Sequence, residues 1–231
     1  MKLFDAFKNN MPDNSILCSN AANVVLSDYN EDDIKKNFSS LVSKMQDEIY
    51  QQYLYAQKAA GQKVFDNIIS EIGTVNFEEV DSFMMSIFQS RKSRAGKAFE
   101  FTIREMFSRL SYPFAEQVNV NGATPDFIMP SEEYFRKRPL DSIIFTAKRT
   151  LRERWRQVVT EANQGYSFFL ATIDTKIAPN QLKQAAEHKI FIVVPESIKN
   201  ENLHYLEAYN VLSFEEFFEH HLDPARKRWN I

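Results

Sequence analysis

The clearest pattern in this chain is TPDFIMP (Thr124–Pro130), followed by IIFTAKRTLRERWRQVVTEAN (Ile143–Asn163). Both begin as apolar, strand-like runs. Asp126 lies near the start of the first run, and Lys148 ends the apolar part of the second, where a basic, helix-prone sequence begins. The pattern predicts two strands that bring a carboxylate and an amine together if they are neighbours in one sheet.

Strands and helices alternate from Thr124 onward. Short apolar runs mark the strands, and turn-forming residues separate them. The predicted strands are Ala115–Val120, Thr124–Pro130, Leu140–Lys148, Tyr166–Ile173 and Lys189–Pro195, with a short edge strand at Asn210–Leu212. Helices are predicted after Thr150, at Pro179–Glu187 and at Ser213–Leu222. Such alternation favours an α/β fold with a mixed sheet.

The first half of the chain is predicted to be mainly helical. The predicted elements are an irregular segment at residues 1–30, a helix from Glu31 to about Ala60 that stops at Gly61, one or two helices within Phe65–Phe88 with Gly73 between them, and a basic helix at Ser90–Leu110. We therefore predict a helical region at residues 1–89, packed on the core and used for dimerisation or DNA contact. Residues 90–231 are the predicted catalytic core.

The composition indicates one substantial hydrophobic core and no disulfide framework. The chain has 231 residues, of which 44% are hydrophobic, and this is enough for such a core. Cys18 is the single cysteine, so an intrachain disulfide and a cysteine-based zinc site are excluded. No apolar run approaches a membrane span, and the N-terminus lacks a secretory apolar segment. We therefore expect a soluble, cytoplasmic protein without a membrane partner.

Basic residues are concentrated in two segments, although the formal net charge is −3. Residues 91–109 contain six lysines and arginines against two acids, and residues 136–156 contain eight against two. A locally positive face on an acidic body suits a protein that grips a polyanion in one cleft. We expect Arg94, Lys97 and Arg149, which lie in these segments, to contact the phosphate backbone of DNA.

Asp126 and Lys148 supply two of the groups that metal-dependent hydrolysis of a phosphodiester needs. A divalent cation neutralises developing charge and lowers the pKa of the attacking water, and Mg²⁺ takes oxygen ligands. An ammonium group stabilises the developing charge further. The usual nuclease pattern places a second acid two residues before the lysine, where this chain has Thr146. Glu161 and Glu100 are the alternatives for that second acid.

These residues resemble the PD-(D/E)XK restriction endonucleases, and within them the EcoRII/SsoII/PspGI branch. The matching residues, over roughly residues 90 to 195, are Pro125-Asp126, Ala147-Lys148, Arg152-Glu153-Arg154-Trp155 and Glu161. The resemblance implies a restriction-endonuclease-like core, in which helices flank a central mixed five-stranded sheet, with an N-terminal helical extension. It also implies that Asp126 and Glu161 bind Mg²⁺, that Lys148 is the catalytic lysine and that Glu100 is an auxiliary acid.

Arg152, Glu153 and Arg154 form the motif that we expect to read DNA bases. Arginine donates two hydrogen bonds to guanine O6 and N7, and glutamate accepts from cytosine N4. The motif therefore suits two adjacent C·G pairs, and a two-fold homodimer would double them into a CC…GG site in duplex DNA. Whether the site is CCGG, CCNGG or CCWGG stays open at this point.

Three functions fit the sequence. The first is a homodimeric type II site-specific deoxyribonuclease that uses Mg²⁺ and no organic cofactor. The second is a structure-specific repair or recombination nuclease of the same fold, and the third is a catalytically inactive DNA-binding protein. The base-reading motif favours the first over the second. Asp126, Lys148 and Glu161 argue against the third, because acids that repel phosphate bring a mere binder no advantage.

Overall fold

The structure is a computed structural model that describes residues 3–71, 76–120, 122–151 and 168–230. Up to Arg109 the described secondary-structure elements are helices. After Arg109, strands alternate with shorter helices. The α-helices, numbered in chain order, are α1 (Leu3–Asn10), α2 (Asn14–Leu26), α3 (Glu31–Lys36), α4 (Phe38–Glu71), α5 (Phe77–Arg109), α6 (Glu132–Lys137), α7 (Pro179–Glu187), α8 (Glu196–Asn200), α9 (Leu203–Glu207), α10 (Phe214–Phe217) and α11 (Asp223–Trp229). A 3-10 turn at Pro139–Asp141 precedes the second strand, and a π-helical turn at Phe218–Leu222 joins α10 to α11.

The prediction that residues 1–30 are irregular is wrong, because helices α1 and α2 lie there. Pro12 and the asparagines before it mark only the short break between the two helices. Asp13 caps the second helix, and its Oδ1 accepts a hydrogen bond from the Ser15 N–H over 2.8 Å. Such a cap satisfies a backbone donor that the first turn of a helix leaves unpaired. Turn formers therefore indicated a helix boundary here and not a loop.

The predicted helix from Glu31 to about Ala60 begins at the right residue but is wrong in its continuity and in its end. Asn37 interrupts it, since α3 ends at Lys36 and α4 begins at Phe38. Gly61 does not end α4, which continues to Glu71. An interior glycine costs a helix only about 1 kcal/mol, and the buried side chain of Val64 continues the packed face beyond it.

Helix α5 joins two segments that were predicted as separate helices. It runs without interruption from Phe77 to Arg109, so the predicted boundary between residues 89 and 90 falls inside it. Its predicted apolar stripe is confirmed, because Phe99, Ile103, Met106, Phe107 and Leu110 are all buried. A role of residues 1–89 in dimerisation or DNA contact stays a prediction.

The described strands form one five-stranded mixed sheet, as predicted, in the order β1-β2-β3-β4-β5. They are β1 (Phe127–Met129), β2 (Ile143–Ala147), β3 (Phe168–Ala171), β4 (Ile190–Val194) and β5 (Val211–Ser213). Strand β1 pairs antiparallel with β2, and the remaining neighbours are parallel. Strand β2 is buried along its whole length, as an apolar central strand covered on both faces should be.

The predicted strand at Ala115–Val120 is wrong. Only its two ends form bridges, Ala115 with Ile128 and Val120 with Ala123. Gln117 lies between them with a φ of 58°, a left-handed backbone conformation that interrupts an extended ladder. The fifth strand of the sheet is instead the predicted short edge strand, which the structure places at Val211–Ser213.

Two compact units make up the chain. The first comprises Met1–Ser27 and Lys44–Thr102, and the second comprises Asp28–Ser43 and Ile103–Ile231. The second unit holds the sheet, and aromatic rings pack against one another in its core: Phe38, Phe107, Phe127, Phe145, Phe217 and Phe218. Each buried ring of this kind stabilises the fold by about 2–3 kcal/mol relative to exposure. The strand ends described below therefore project from a tightly packed support.

The π-helical turn places His221 among phenylalanines of the second unit. Its ring centroid lies 4.9 Å from that of Phe169 and 5.0 Å from that of Phe191. Burial lowers the pKa of His221 below its ordinary value, and the charge of His220 lowers it further. This packing therefore favours the neutral form of the imidazole over the charged one.

No helix in the described ranges is long and apolar enough to cross a membrane.

Candidate active site

The pairing of β1 with β2 brings Asp126 and Lys148 to the same end of the sheet. Asp126 immediately precedes β1, and Lys148 immediately follows β2. The antiparallel register pairs Phe127 with Phe145, so that Asp126 lies opposite Thr146. The two strands are neighbours, so the condition under which the sequence would bring Asp126 and Lys148 together is met. Side chains at the start of β1 and at the end of β2 therefore meet in space.

The carboxylate of Asp126 is held in one orientation by β2. Its Oδ2 accepts hydrogen bonds from the Thr146 hydroxyl and from the Ala147 backbone N–H, both over 2.7 Å. Asp126 is 8% exposed, so these bonds form away from most of the solvent. Hydrogen bonds from a backbone amide and a hydroxyl to a carboxylate are charge-assisted and stronger than neutral ones. They fix the rotamer that faces Lys148.

Lys148 forms an ion pair with this carboxylate. Its Nζ lies 3.0 Å from Oδ2 and 3.3 Å from Oδ1 of Asp126. The two side chains are 13% and 10% exposed, respectively. Desolvating such a pair consumes much of its Coulombic gain, so an ion pair this well buried contributes little net stability. A contribution to the stability of the fold therefore does not explain why these two charged side chains lie together at the edge of an apolar sheet.

The contacts of Asp126 fit the binding of a divalent cation. Among the described residues its Oδ1 accepts one hydrogen bond, from Lys148, and therefore keeps lone pairs for a further ligand. A carboxylate oxygen is the hard ligand that Mg²⁺ takes. No group of three His, Cys, Asp or Glu side chains able to hold a metal occurs within the described ranges. Glu161, the predicted second ligand, lies outside them.

The predicted base-reading residues Arg152, Glu153 and Arg154 also lie outside the described residues. Their roles, and that of Glu161, stay predictions. Glu100, the predicted auxiliary acid, is described and lies half-buried on α5. Its catalytic role likewise stays a prediction.

The three residues predicted to contact phosphates have different environments. Arg94 is half-buried, and its Nη1 donates to the Pro12 carbonyl over 3.1 Å. Lys97 and Arg149 are exposed. The pKa of Asp13 is lowered, chiefly by its hydrogen bonds from Ser15 and additionally by the charges of Arg94 and Lys97. Arg94 therefore already supports the start of α2, whereas the side chain of Arg149 faces solvent beside Lys148.

Sequence reasoning missed a polar network that follows β3. The Thr172 hydroxyl donates to the carbonyl of Arg149 over 3.2 Å. Asp174 accepts from the backbone N–H of Leu151 through Oδ2 and from that of Lys176 through Oδ1, both over 3.0 Å. The available signal was the polar sequence TIDT directly after an apolar strand, because the carboxyl ends of parallel strands commonly carry functional groups.

Tyr205 holds this network from α9. Its hydroxyl donates to the Asp174 carbonyl over 2.7 Å and accepts from the Ile177 N–H over 3.0 Å. Burial raises the pKa of Tyr205, and the negative charge of Asp174 adds to this effect. The phenol therefore remains a hydrogen-bond donor throughout the neutral pH range.

The sequence matches one protein-family model and two curated restriction enzymes. The family model, described as EcoRII C terminal, matches residues 58–218. The type II restriction enzyme SsoII of Shigella sonnei is 30% identical over 157 residues, which cover 63% of this chain and 50% of SsoII. The type II restriction enzyme EcoRII of Escherichia coli is 28% identical over 130 residues, covering 53% of this chain and 32% of EcoRII. The aligned region thus spans half or less of these relatives.

Solved structures share the fold over almost the whole chain. Metal-depleted Ecl18kI in complex with uncleaved DNA superposes with a TM-score of 0.82 at 22% identity, covering 99% of this chain and 84% of Ecl18kI. The restriction endonuclease PspGI in complex with substrate DNA superposes with a TM-score of 0.72 at 20% identity, covering 96% of both chains. The predicted restriction-endonuclease-like fold is therefore confirmed.

Proposed function

Since the chain belongs to the EcoRII C-terminal family, in the EcoRII/SsoII/PspGI branch that the sequence resembled, we propose that it is a type II site-specific deoxyribonuclease. Its substrate is double-stranded DNA with a palindromic site of the CC(N)GG type. Its cofactor is Mg²⁺, its active form is a homodimer, and its compartment is the cytoplasm.

The observation that carries this proposal is the pair formed by Asp126 and Lys148. The ammonium nitrogen lies 3.0 Å from a carboxylate oxygen that two further donors already orient. A solvated strand end would leave both groups free to turn, whereas here the sheet register holds them side by side. Such preorganised charges at a fixed separation are what stabilisation of a phosphoryl transition state requires.

Each residue then has a defined task. Asp126 and Glu161 hold the metal ion, and Thr146 and Ala147 keep the Asp126 carboxylate in its ligating rotamer. The bound Mg²⁺ supplies charge neutralisation and a more acidic water. Lys148 places its positive charge at the same carboxylate, where it can stabilise negative charge that develops on the scissile phosphate. Glu100 is the auxiliary acid.

Specificity is assigned to the motif Arg152–Arg154, which follows Lys148 closely in the sequence. Two arginines bind the guanines of adjacent C·G pairs, and Glu153 accepts from a cytosine amino group. A two-fold homodimer presents this motif twice, which matches a CC…GG palindrome. Arg94, Lys97 and Arg149 contribute contacts to the phosphates, which set the position of the protein on DNA without reading sequence.

One experiment tests the proposal. Purified protein is incubated with a phage genome and Mg²⁺, and the ends of the fragments are sequenced, with EDTA as the metal-free control. We expect discrete ends that share one CC…GG motif. A smear of unrelated ends or nicks at junctions would support the structure-specific nuclease instead. Intact DNA with retarded migration would support the inactive DNA-binding protein.

A further inference from the structure

The four residues from Lys148 to Leu151 are attached to the rest of the second unit through their backbone. The Lys148 N–H donates to the Ala171 carbonyl over 2.9 Å, which continues the pairing of β2 with β3. The Arg149 carbonyl accepts from Thr172, and the Leu151 N–H donates to Asp174. The Leu151 side chain is also buried, at 2% exposure, in the hydrophobic cluster around Ile177. This segment is therefore held at three backbone atoms and one side chain.

Asp174 is a charged residue in a buried position, where desolvation of its carboxylate is unfavourable. It is 8% exposed, and burying a carboxylate is strongly unfavourable unless its oxygens accept hydrogen bonds. Its Oδ2 accepts from the backbone N–H of Leu151, and its Oδ1 accepts from that of Lys176. The carboxylate therefore joins the residues that follow β2 to the residues that follow β3. A hydrophobic residue would fill the same volume without the desolvation cost. The presence of a carboxylate here is therefore explained by its hydrogen bond to the segment Lys148–Leu151.

Thr172 completes the arrangement from the end of β3. It is fully buried, and its hydroxyl accepts from the Asp174 N–H over 3.1 Å while it donates to the Arg149 carbonyl. A hydroxyl that donates and accepts at once has a fixed orientation. We call Thr172, Asp174 and the supporting Tyr205 the Asp174 clamp.

We propose that the Asp174 clamp is a specificity device: it positions the chain between the catalytic Lys148 and the base-reading motif, so that the motif enters DNA in register with the cleaved phosphate. The proposal rests on the proposed function. Arg152 follows Leu151 directly in the sequence, so the clamp holds the residue that immediately precedes the motif. The clamp residues contact neither metal nor bases and act as positioning residues.

Two consequences distinguish a positioning role from a general contribution to stability. Loosening the segment should weaken discrimination between the correct site and a site with one changed base pair, because bidentate base contacts depend on alignment. It should change non-specific binding much less, since phosphate contacts carry no sequence information and two of the three residues assigned to them, Arg94 and Lys97, lie outside this segment. A merely structural residue would lower both affinities together or neither.

The test uses Asp174→Asn and Thr172→Val, each of which removes part of the clamp with little change of volume. The matched control is Asp141→Asn. Asp141 lies before β2, at the end opposite to Lys148, and its carboxylate accepts from Tyr134 and Arg228. Dissociation constants are measured by fluorescence anisotropy in EDTA, with the full-length protein. One duplex carries the site found from the fragment ends, and the other has one C·G pair replaced by T·A. Thermal unfolding is followed in parallel.

We expect both clamp variants to reduce the ratio of the two affinities by about tenfold, with binding to the altered duplex nearly unchanged. Asp141→Asn should keep the wild-type ratio even where its melting temperature falls as far. If Asp174→Asn does not fold, Thr172→Val carries the test alone. A wild-type ratio in the clamp variants would overturn the inference while leaving the proposed function intact. A wild-type protein that binds both duplexes equally would overturn the two together.

Discussion

The Thr146 hydroxyl donates a hydrogen bond to Asp126, with 2.7 Å between its Oγ1 and Oδ2. Thr146 occupies the position where the usual nuclease pattern has its second acid, two residues before the lysine. A carboxylate in the same place would be buried opposite Asp126 and would repel it. Thr146 thus offers a hydroxyl donor to Asp126, the proposed metal ligand, where that pattern has a carboxylate, and the proposed function takes its second acid, Glu161, from elsewhere in the chain.

Replacing Thr146 by valine should remove this orientation with little change of volume. We expect a loss of about 1–3 kcal/mol in unfolding free energy, because a buried carboxylate oxygen loses a partner. Single-turnover cleavage should slow by about tenfold, since the ligand can then rotate. Thr146→Ser keeps the hydroxyl and serves as the control in both the denaturation and the cleavage experiments. Equal rates in the two variants would contradict the orienting role.

Lys148 should be required for cleavage and not for binding. Lys148→Met keeps the length of the side chain and removes its charge, so we expect a fall of about 10²-fold or more in the single-turnover rate. Affinity for the site in EDTA should change little. Arg149→Met, which alters the exposed basic residue next to it, is the matched control and should mainly weaken binding at low salt and reduce the salt dependence of the affinity. Comparable rate losses in both variants would mean that general charge, and not the pair with Asp126, is what matters.

The identity of the second acid can be decided by comparing two variants. We expect Glu161→Ala to abolish cleavage while DNA binding stays measurable, because a metal ligand is lost and the base-reading motif is intact. Glu100→Ala should only reduce the rate. The readout is cleavage over a range of Mg²⁺ concentrations. Full activity of Glu161→Ala, with loss of activity in Glu100→Ala, would reverse the assignment of the two acids.

Arg152 should contribute to base discrimination. Arg152→Ala is expected to reduce the preference for the correct site over a site with one changed C·G pair by about 1–3 kcal/mol. Competition binding in EDTA measures this preference directly. Arg94→Ala is the comparison, since the loss of a contact to phosphate should weaken binding to all sequences alike. An unchanged preference in Arg152→Ala would remove that arginine from the reading motif.

His221 should make the fold less stable in acid. Burial lowers its pKa in the folded protein below the ordinary value of 6.5. As the pH falls, the unfolded chain therefore takes up a proton at this residue before the folded protein does. The stability that neutral His221 contributes is therefore complete above pH 6.5 and is lost as the pH drops through the lower, folded-state pKa. His221→Phe should remove this part of the decline between pH 7 and 5 in thermal denaturation. His204→Phe, at an exposed position, should leave it unchanged.

Strong local patterns were sufficient to predict much of this fold. The continuous apolar run that became β2 and the spaced apolar residues of α5 specify their structures, because burial leaves each segment one stable choice. The pairing of Asp126 with Lys148 followed from their positions at two strand ends. Helices α1 and α2 were missed because their boundary residues are also turn formers, and only a capping contact such as that of Asp13 distinguishes the two. The Asp174 clamp was missed for a related reason, since its bonds go to backbone atoms whose positions depend on the path of the loop.

The antiparallel register of β1 on β2 has a consequence for how this chain can vary. Asp126 and Lys148 are 22 positions apart in the sequence. Their proximity in space depends on the register of β1 on β2 and not on the length of chain between them. Sliding β1 by a single residue would turn the aspartate to the opposite face of the sheet. Insertions and deletions in the exposed parts of the connection between the two strands should therefore be tolerated, provided that the alignment and the packing of the buried Phe135 survive. The length of those exposed parts can therefore change without moving Asp126 away from Lys148.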